Sequence, residues 1–189
     1  SGAVYGVDDK GLAMTPPPWP RCRVPVGRSG DWAVQRFYDA GHPDVPAGEY
    51  TELVQGDILF MSDSPLECRS QWPAAQEAIR RGGHVLVTGL GLGLFIDLLQ
   101  SDESNIQSIT VLEKSADVIA LVKPYVSPQA RIIKGDALTW LPPAGMRYSV
   151  IWHDIWPDPY APEVPQQIET LHARFASYCD WQGSWRPQG

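Results

Sequence analysis

The spacing of apolar and polar positions changes character near residue 84. Downstream, short apolar runs alternate with stretches in which apolar residues recur every three or four positions. This pattern predicts strands over 84–88, 108–112, 131–134 and 148–152. Between and after them it predicts helices over 92–100, 115–126, 137–141 and 162–178. Ser115 is placed to cap the second helix, and Ile168, Leu171, Phe175 and Ala176 share one face of the last. Strand–helix alternation implies an α/β fold with a mostly parallel sheet and right-handed crossovers.

Upstream the pattern is different. Over 49–62, two apolar runs flank Gln55-Gly56-Asp57, which predicts a β-hairpin. Residues 71–81 read as a helix with Pro73 in its first turn and Trp72, Ala75, Ala78 and Ile79 as its apolar face. Residues 1–48 are rich in proline and glycine and read as an extended arm. The run Thr15-Pro-Pro-Pro-Trp-Pro20 excludes helix, because proline lacks the N–H and restricts its predecessor. It suits a rigid loop packed on the domain better than a polyproline ligand for a partner. The expected organisation is a 1–48 arm, a 49–70 hairpin segment and a 71–189 Rossmann-like nucleotide-binding domain. Few residues follow the last helix, so the sheet is expected to be short, or to be completed by the hairpin or by a second chain, as in a homodimer.

Length and charge narrow the choice of function. The 189 residues suit one domain or one domain with a small appendage. A net charge of −7 without a dense Lys/Arg block argues against nucleic acid as a partner. The apolar runs fall short of the roughly 20 residues a membrane helix needs. No basic stretch followed by an apolar core marks a signal peptide, so the expected location is cytoplasmic. Cys22, Cys68 and Cys179 are far apart and odd in number, as reduced thiols would be. His42, His84, His153 and His172 have no metal-ligand spacing, and no metal is expected.

Four motifs carry candidate chemistry. In His84-Val-Leu-Val-Thr-Gly-Leu-Gly-Leu-Gly-Leu94 a strand runs into Gly89, Leu90, Gly91 and Gly93 and then into an apolar helix. Glycines allow a sharp turn and close approach of backbone to a ligand, with the helix N-terminus behind them. The spacing is G-x-G-x-G; the dinucleotide pattern G-x-G-x-x-G would need glycine where Leu94 stands. Glu113 ends the second strand, where a carboxylate accepts from ribose hydroxyls, with Lys114 beside it. Asp136 follows the third strand; alone it reads as a helix N-cap, but as the third element in order it reads, with the Ala137 N–H, as a contact to an adenine edge. Asp154 follows the fourth strand at the point where such sheets bind ligands, and Trp156, Asp158 and Tyr160 follow it as candidate substrate contacts.

Taken together, residues 49–178 resemble class I S-adenosylmethionine-dependent methyltransferases, and within them the spermidine synthase (aminopropyltransferase) branch. Three features carry the branch resemblance: Val87 where most methyltransferases have an acidic residue, the hairpin with Met61-Ser-Asp-Ser-Pro-Leu-Glu67, and the 154–164 run ending Asp158-Pro-Tyr-Ala-Pro-Glu-Val. The chain departs from the branch in several places. Leu92 replaces an amine-binding aspartate, Asp154 and Asp158 are four apart instead of three, and no tyrosine-bearing substrate segment is recognisable around Cys68-Arg-Ser-Gln71. C-terminal strands are also expected to be missing. The resemblance implies S-adenosylmethionine or its decarboxylated form as cofactor, and transfer of a methyl or aminopropyl group to a small-molecule acceptor with Asp154 as the catalytic group. A non-catalytic nucleotide-binding protein on a degenerate fold is the alternative. An adenine-modifying enzyme would carry Asp/Asn-Pro-Pro-aromatic where this chain has Asp154-Ile-Trp-Pro.

Overall fold

Apolar strands buried on both faces, Gly83–Thr88, Ile106–Glu113 and Tyr148–His153, build the centre of the molecule. In the computed structural model, residues 19–100 and 104–185 are described. The core sheet is five-stranded and parallel throughout, in the order β7-β6-β5-β8-β9. Its strands are β5 (Gly83–Thr88), β6 (Ile106–Glu113), β7 (Ala130–Lys134), β8 (Tyr148–His153) and β9 (Cys179–Ser184). Period-two alternation sorts their side chains. Val85, Val87, Ile109, Val111, Val150 and Trp152 pack with α1 (Pro65–Arg81), α2 (Leu94–Leu98) and α3 (Ala116–Val122). Leu86, Leu112 and Ile151 pack on the other face with Ile168, Leu171 and Phe175 of α4 (Val164–Phe175). This is a Rossmann-like α/β fold, whose order reverses between β5 and β8.

A second, antiparallel sheet is built from β1 (Gly27–Ser29), β2 (Trp32–Asp39), β3 (Gly48–Gln55) and β4 (Ile58–Ser62), in that spatial order. The 49–62 hairpin is its second half. The segment read as an extended arm therefore contains two strands. Gly30-Asp31 makes a tight turn between β1 and β2, and β2 pairs with β3 along its whole length, from Trp32↔Gln55 to Asp39↔Gly48. The Pro16–Pro18 part of the proline run lies outside the described residues; Trp19, beside it, packs edge-on against Trp72 at 6.1 Å.

Other expectations shift at their edges. The helix expected at residue 71 begins at Pro65, because Ser64 caps it and proline at the first helical position needs no N–H. Pro73 then sits mid-helix on the exposed side. The helix expected over 92–100 is only Leu94–Leu98: Gly93 has φ +82°, so it caps the helix and does not join it. A helix this short adds little macrodipole at its N-terminus. The helix expected over 137–141 is a turn. The residues after α4 form β9, a fifth parallel strand, so the hairpin does not complete the core sheet.

Asp63, 1 % exposed, ties the antiparallel sheet to the N-terminal segment at the β4–α1 junction. Its carboxylate accepts from the Thr51 N–H (2.7 Å), the Cys22 N–H (2.9 Å) and Arg21 Nε (3.1 Å). Asp63→Ala leaves two buried N–H groups without acceptors. We expect it to lower unfolding free energy by about 2–4 kcal/mol. Urea denaturation checks this, and a loss below about 0.5 kcal/mol would remove Asp63 from its tethering role.

Candidate active site

The strand ends are stitched together by backbone hydrogen bonds at the carboxyl edge of the sheet. Gly89 N donates to Leu112 O (2.8 Å), Gly135 N to Glu113 O (2.9 Å) and Asp154 N to Thr88 O (2.8 Å). A cavity of about 520 Å³ opens there. Gly89, Leu90, Gly91, Glu113, Lys114, Asp136, Ala137, Asp154 and Trp156 all line it. So do Trp32, Leu53, Phe60 and Met61, which the antiparallel sheet lays over the glycine loop as a roof.

The glycines have reasons within the fold itself. Gly89 has φ +101°, and a Cβ there would collide with the Asp154 carbonyl. Gly91 has φ +50°, and a Cβ there would strike the Met61 sulfur, which accepts a hydrogen bond from Leu92 N at 3.0 Å. A side chain at 91 thus meets the protein's own roof before any ligand. Gly93 is the cap of α2 and is not part of the cavity wall.

Glu113 uses both carboxylate oxygens on the loop, one accepting from Leu90 N (3.0 Å) and the other from Ser115 N (2.7 Å). Each oxygen retains a lone pair for a further donor. Asp136 fills both roles considered for it. One oxygen caps the Leu138 N–H (2.9 Å), while the other pairs with Lys114 Nζ (2.9 Å) at the cavity wall. The Lys114 ammonium and the Leu138 bond hold its carboxyl below the usual range. That ion pair is exposed, so a ligand donor displaces it at small cost.

Asp154 stands half-buried in the cavity wall, and desolvation pushes its carboxyl up to about 7. No cationic side chain pairs with it among the described residues. Its partner is the Gln71 amide, with Nε2 donating to Oδ2 at 3.1 Å. Gln71 was not singled out by sequence pattern. With Glu67 it stands at i, i+4 on α1, a relation visible only once the helix starts at Pro65.

The loop after Asp154 divides. Trp156 faces the cavity, its Nε1 donating to Gln167 at 2.7 Å. Asp158 and Tyr160 do not line it. Asp158 accepts from the Tyr160 N–H (2.9 Å) in a turn before α4, and Tyr160 is 78 % exposed. Two of the three residues expected to contact substrate are therefore turned to solvent, because an aspartate before proline closes a local turn. Trp152 stacks on Phe95 in the core. Leu92 is also buried there and does not line the cavity.

No protein-family model matches the chain, and no curated protein matches it significantly. Solved structures do. CalS10, an amino pentose methyltransferase from Micromonospora echinaspora solved with SAM, aligns at TM-score 0.47 and 14 % identity, over 62 % of this chain and 48 % of that one. A DhpI–SAM–HEP complex aligns at TM-score 0.44 and 22 % identity, over 60 % and 50 %. The 23S rRNA methyltransferase ErmE aligns at TM-score 0.45 and 18 % identity, over 61 % and 44 %. The chain spans about half the length of the structures it matches.

The buried titratable groups at and behind the cavity make stability depend on pH. Burial, followed by the Asp154 charge, raises Glu67 to about 8. Both carboxyls keep protons in the folded state that the unfolded chain sheds near pH 4, so their contribution is complete below pH 4 and is lost as pH rises through 7 and 8. Buried His153, pushed down to about 4, works in the opposite sense but only below its unfolded value near 6.5. Between pH 6.5 and 8 we therefore expect the melting temperature to fall with rising pH, and Asp154→Asn to flatten that slope. Thermal melts followed by circular dichroism decide it; equal slopes in both proteins would contradict the placement of these protons.

Proposed function

We propose that the chain is an S-adenosylmethionine-dependent transferase acting on a small-molecule acceptor. One observation carries this reading: the ends of four successive parallel strands deliver a glycine loop, Glu113, Asp136 and Asp154 to a single roofed cavity. The cavity suits an adenosyl group. Glu113 has free lone pairs for two ribose hydroxyls, and Asp136 with the Ala137 N–H suits the adenine edge.

The bound sulfonium supplies an electrophilic carbon and a neutral thioether leaving group. The protein aligns the acceptor with that carbon, and alignment is a large part of such catalysis. Asp154 orients the acceptor and takes its proton. Trp156, held by Gln167, and the Trp32–Phe60 ring pair at 4.4 Å exclude water from the cavity. Methyl transfer is favoured over aminopropyl transfer. Leu92 is buried where the spermidine synthase branch carries an amine-binding aspartate, and Asp158 points away.

Two outcomes test this. Glu113→Ala removes a charge-assisted acceptor of ribose, so S-adenosylmethionine affinity should drop by about 1.5–3 kcal/mol in calorimetry. Unchanged affinity in the folded variant would remove the ribose assignment. Asp154→Asn should lower turnover by about 10²-fold while nucleotide affinity is kept. Tight nucleotide binding with no transfer to any amine, hydroxyl or thiol would move the protein to the non-catalytic reading.

A further inference from the structure

We propose that Glu67 is a second member of the acid–base site: it holds a proton at neutral pH that leaves Asp154 as the ionised base, and Gln71 is the positioning residue between them. This rests on the reading of Asp154 as the proton acceptor. The geometry is a single amide shared by two carboxyls. Gln71 Nε2 donates to Asp154 Oδ2 at 3.1 Å and reaches Glu67 Oε1 at 3.5 Å. Gln71 is 1 % exposed in the cavity wall, and its Oε1 has no hydrogen-bond partner. A buried amide with an orphan acceptor beside two carboxyls marks a polar site built for a further donor.

The surroundings offer the pair no cation. On α1, Cys68 lies next to Glu67, and its thiol is pushed up to about 12 by burial and then by the Glu67 charge. Arg69 is taken by Asp44. Asp63, at the end of β4, holds Arg21. On β8, His153 is neutral and bonded to Thr88 and Gln182. Glu113 and the Lys114–Asp136 pair line the cavity with Asp154, while Glu67 stands behind Gln71 outside the lining; neither Glu113 nor that pair contributes to the shift of Glu67 or Asp154. Two like charges bridged by one amide in such a place do not both ionise near neutrality; they titrate as a pair. Gln71 donates to both carboxyls, and its shorter bond goes to Asp154, so of the two charged forms the amide favours that of Asp154 more. The directions agree, with Glu67 raised further, to about 8, than Asp154, to about 7.

The step is balanced without any other reactant. The acceptor's proton moves to the Asp154 carboxylate, the acceptor–carbon bond forms and the carbon–sulfur bond breaks. Sulfur leaves with the electron pair as a neutral thioether. Glu67 keeps its own proton throughout, so it sets no like charge against the ionised form of Asp154 that takes the acceptor's proton.

Infrared difference spectroscopy on the full chain tests this without any ligand. Wild type should show a protonated-carboxyl band at pH 7 that vanishes above about pH 9. Glu67→Gln should weaken the band and leave only the part from Asp154, which fades as pH rises through about 7. Asp154→Asn should retain it but lose it about one pH unit lower, because the like charge is gone. No such band in wild type, or an unchanged band in Glu67→Gln, overturns the proposal. If Glu67→Gln does not fold, the wild-type titration and the Asp154→Asn shift decide alone. A band without transferase activity keeps the pair and removes the transferase reading; activity without a band does the reverse.

Discussion

The approach of Gly89 to the Asp154 carbonyl is the contact on which the site depends. The sheet reverses its order between β5 and β8, and their ends must come together there. A side chain at 89 would occupy the space of the Asp154 carbonyl oxygen. With no Cβ, the chain leaves β5 at φ +101° and passes directly over the start of the next loop. Hydrogen bonds from Gly89, Gly135 and Asp154 then tie each strand end to its neighbour, and the acidic groups of three strands open into one space.

Once the strand ends are joined, the chemistry of the floor follows from burial. Asp154 is held beneath the roof with an amide and no cation, so its charge is costly and its carboxyl rises toward neutral pH. Asp136, at the open end, has Lys114 and a backbone N–H, and its carboxyl falls. Two aspartates on one cavity are driven in opposite directions by position alone. In the proposed function this divergence gives Asp154 the proton-handling role and Asp136 the ligand-holding one.

The antiparallel sheet supplies the enclosure. Its inward side chains cover the glycine loop, and Met61 gives its sulfur to the Leu92 N–H. Asp63 locks this sheet to the N-terminal segment, and α1 begins just after it at Pro65. The roof is thereby coupled to the helix that carries Glu67 and Gln71, so enclosure and the polar floor are one assembly.

Much of the core was legible in the linear pattern, because a strand buried on both faces needs a continuous apolar run and each crossover imposes a 3.6-residue period. The runs at 84–88, 108–112, 131–134 and 148–152 are all strands, and the positions marked by glycine or acid after them, Gly89, Glu113, Asp136 and Asp154, share a cavity. Strand β2 was not legible, since its pairing with β3 crosses a loop and its neighbours are rich in turn residues. Neither was β9, whose Cys179-Asp-Trp-Gln-Gly-Ser184 has no apolar run and becomes a strand by pairing with β8. The direction of Asp158 and Tyr160 was decided by a local turn, and the role of Gln71 by a contact 83 residues away in sequence. Local periodicity records which face a residue must bury. Which buried polar groups meet, and therefore which proton sits where, depends on contacts that only the folded chain makes.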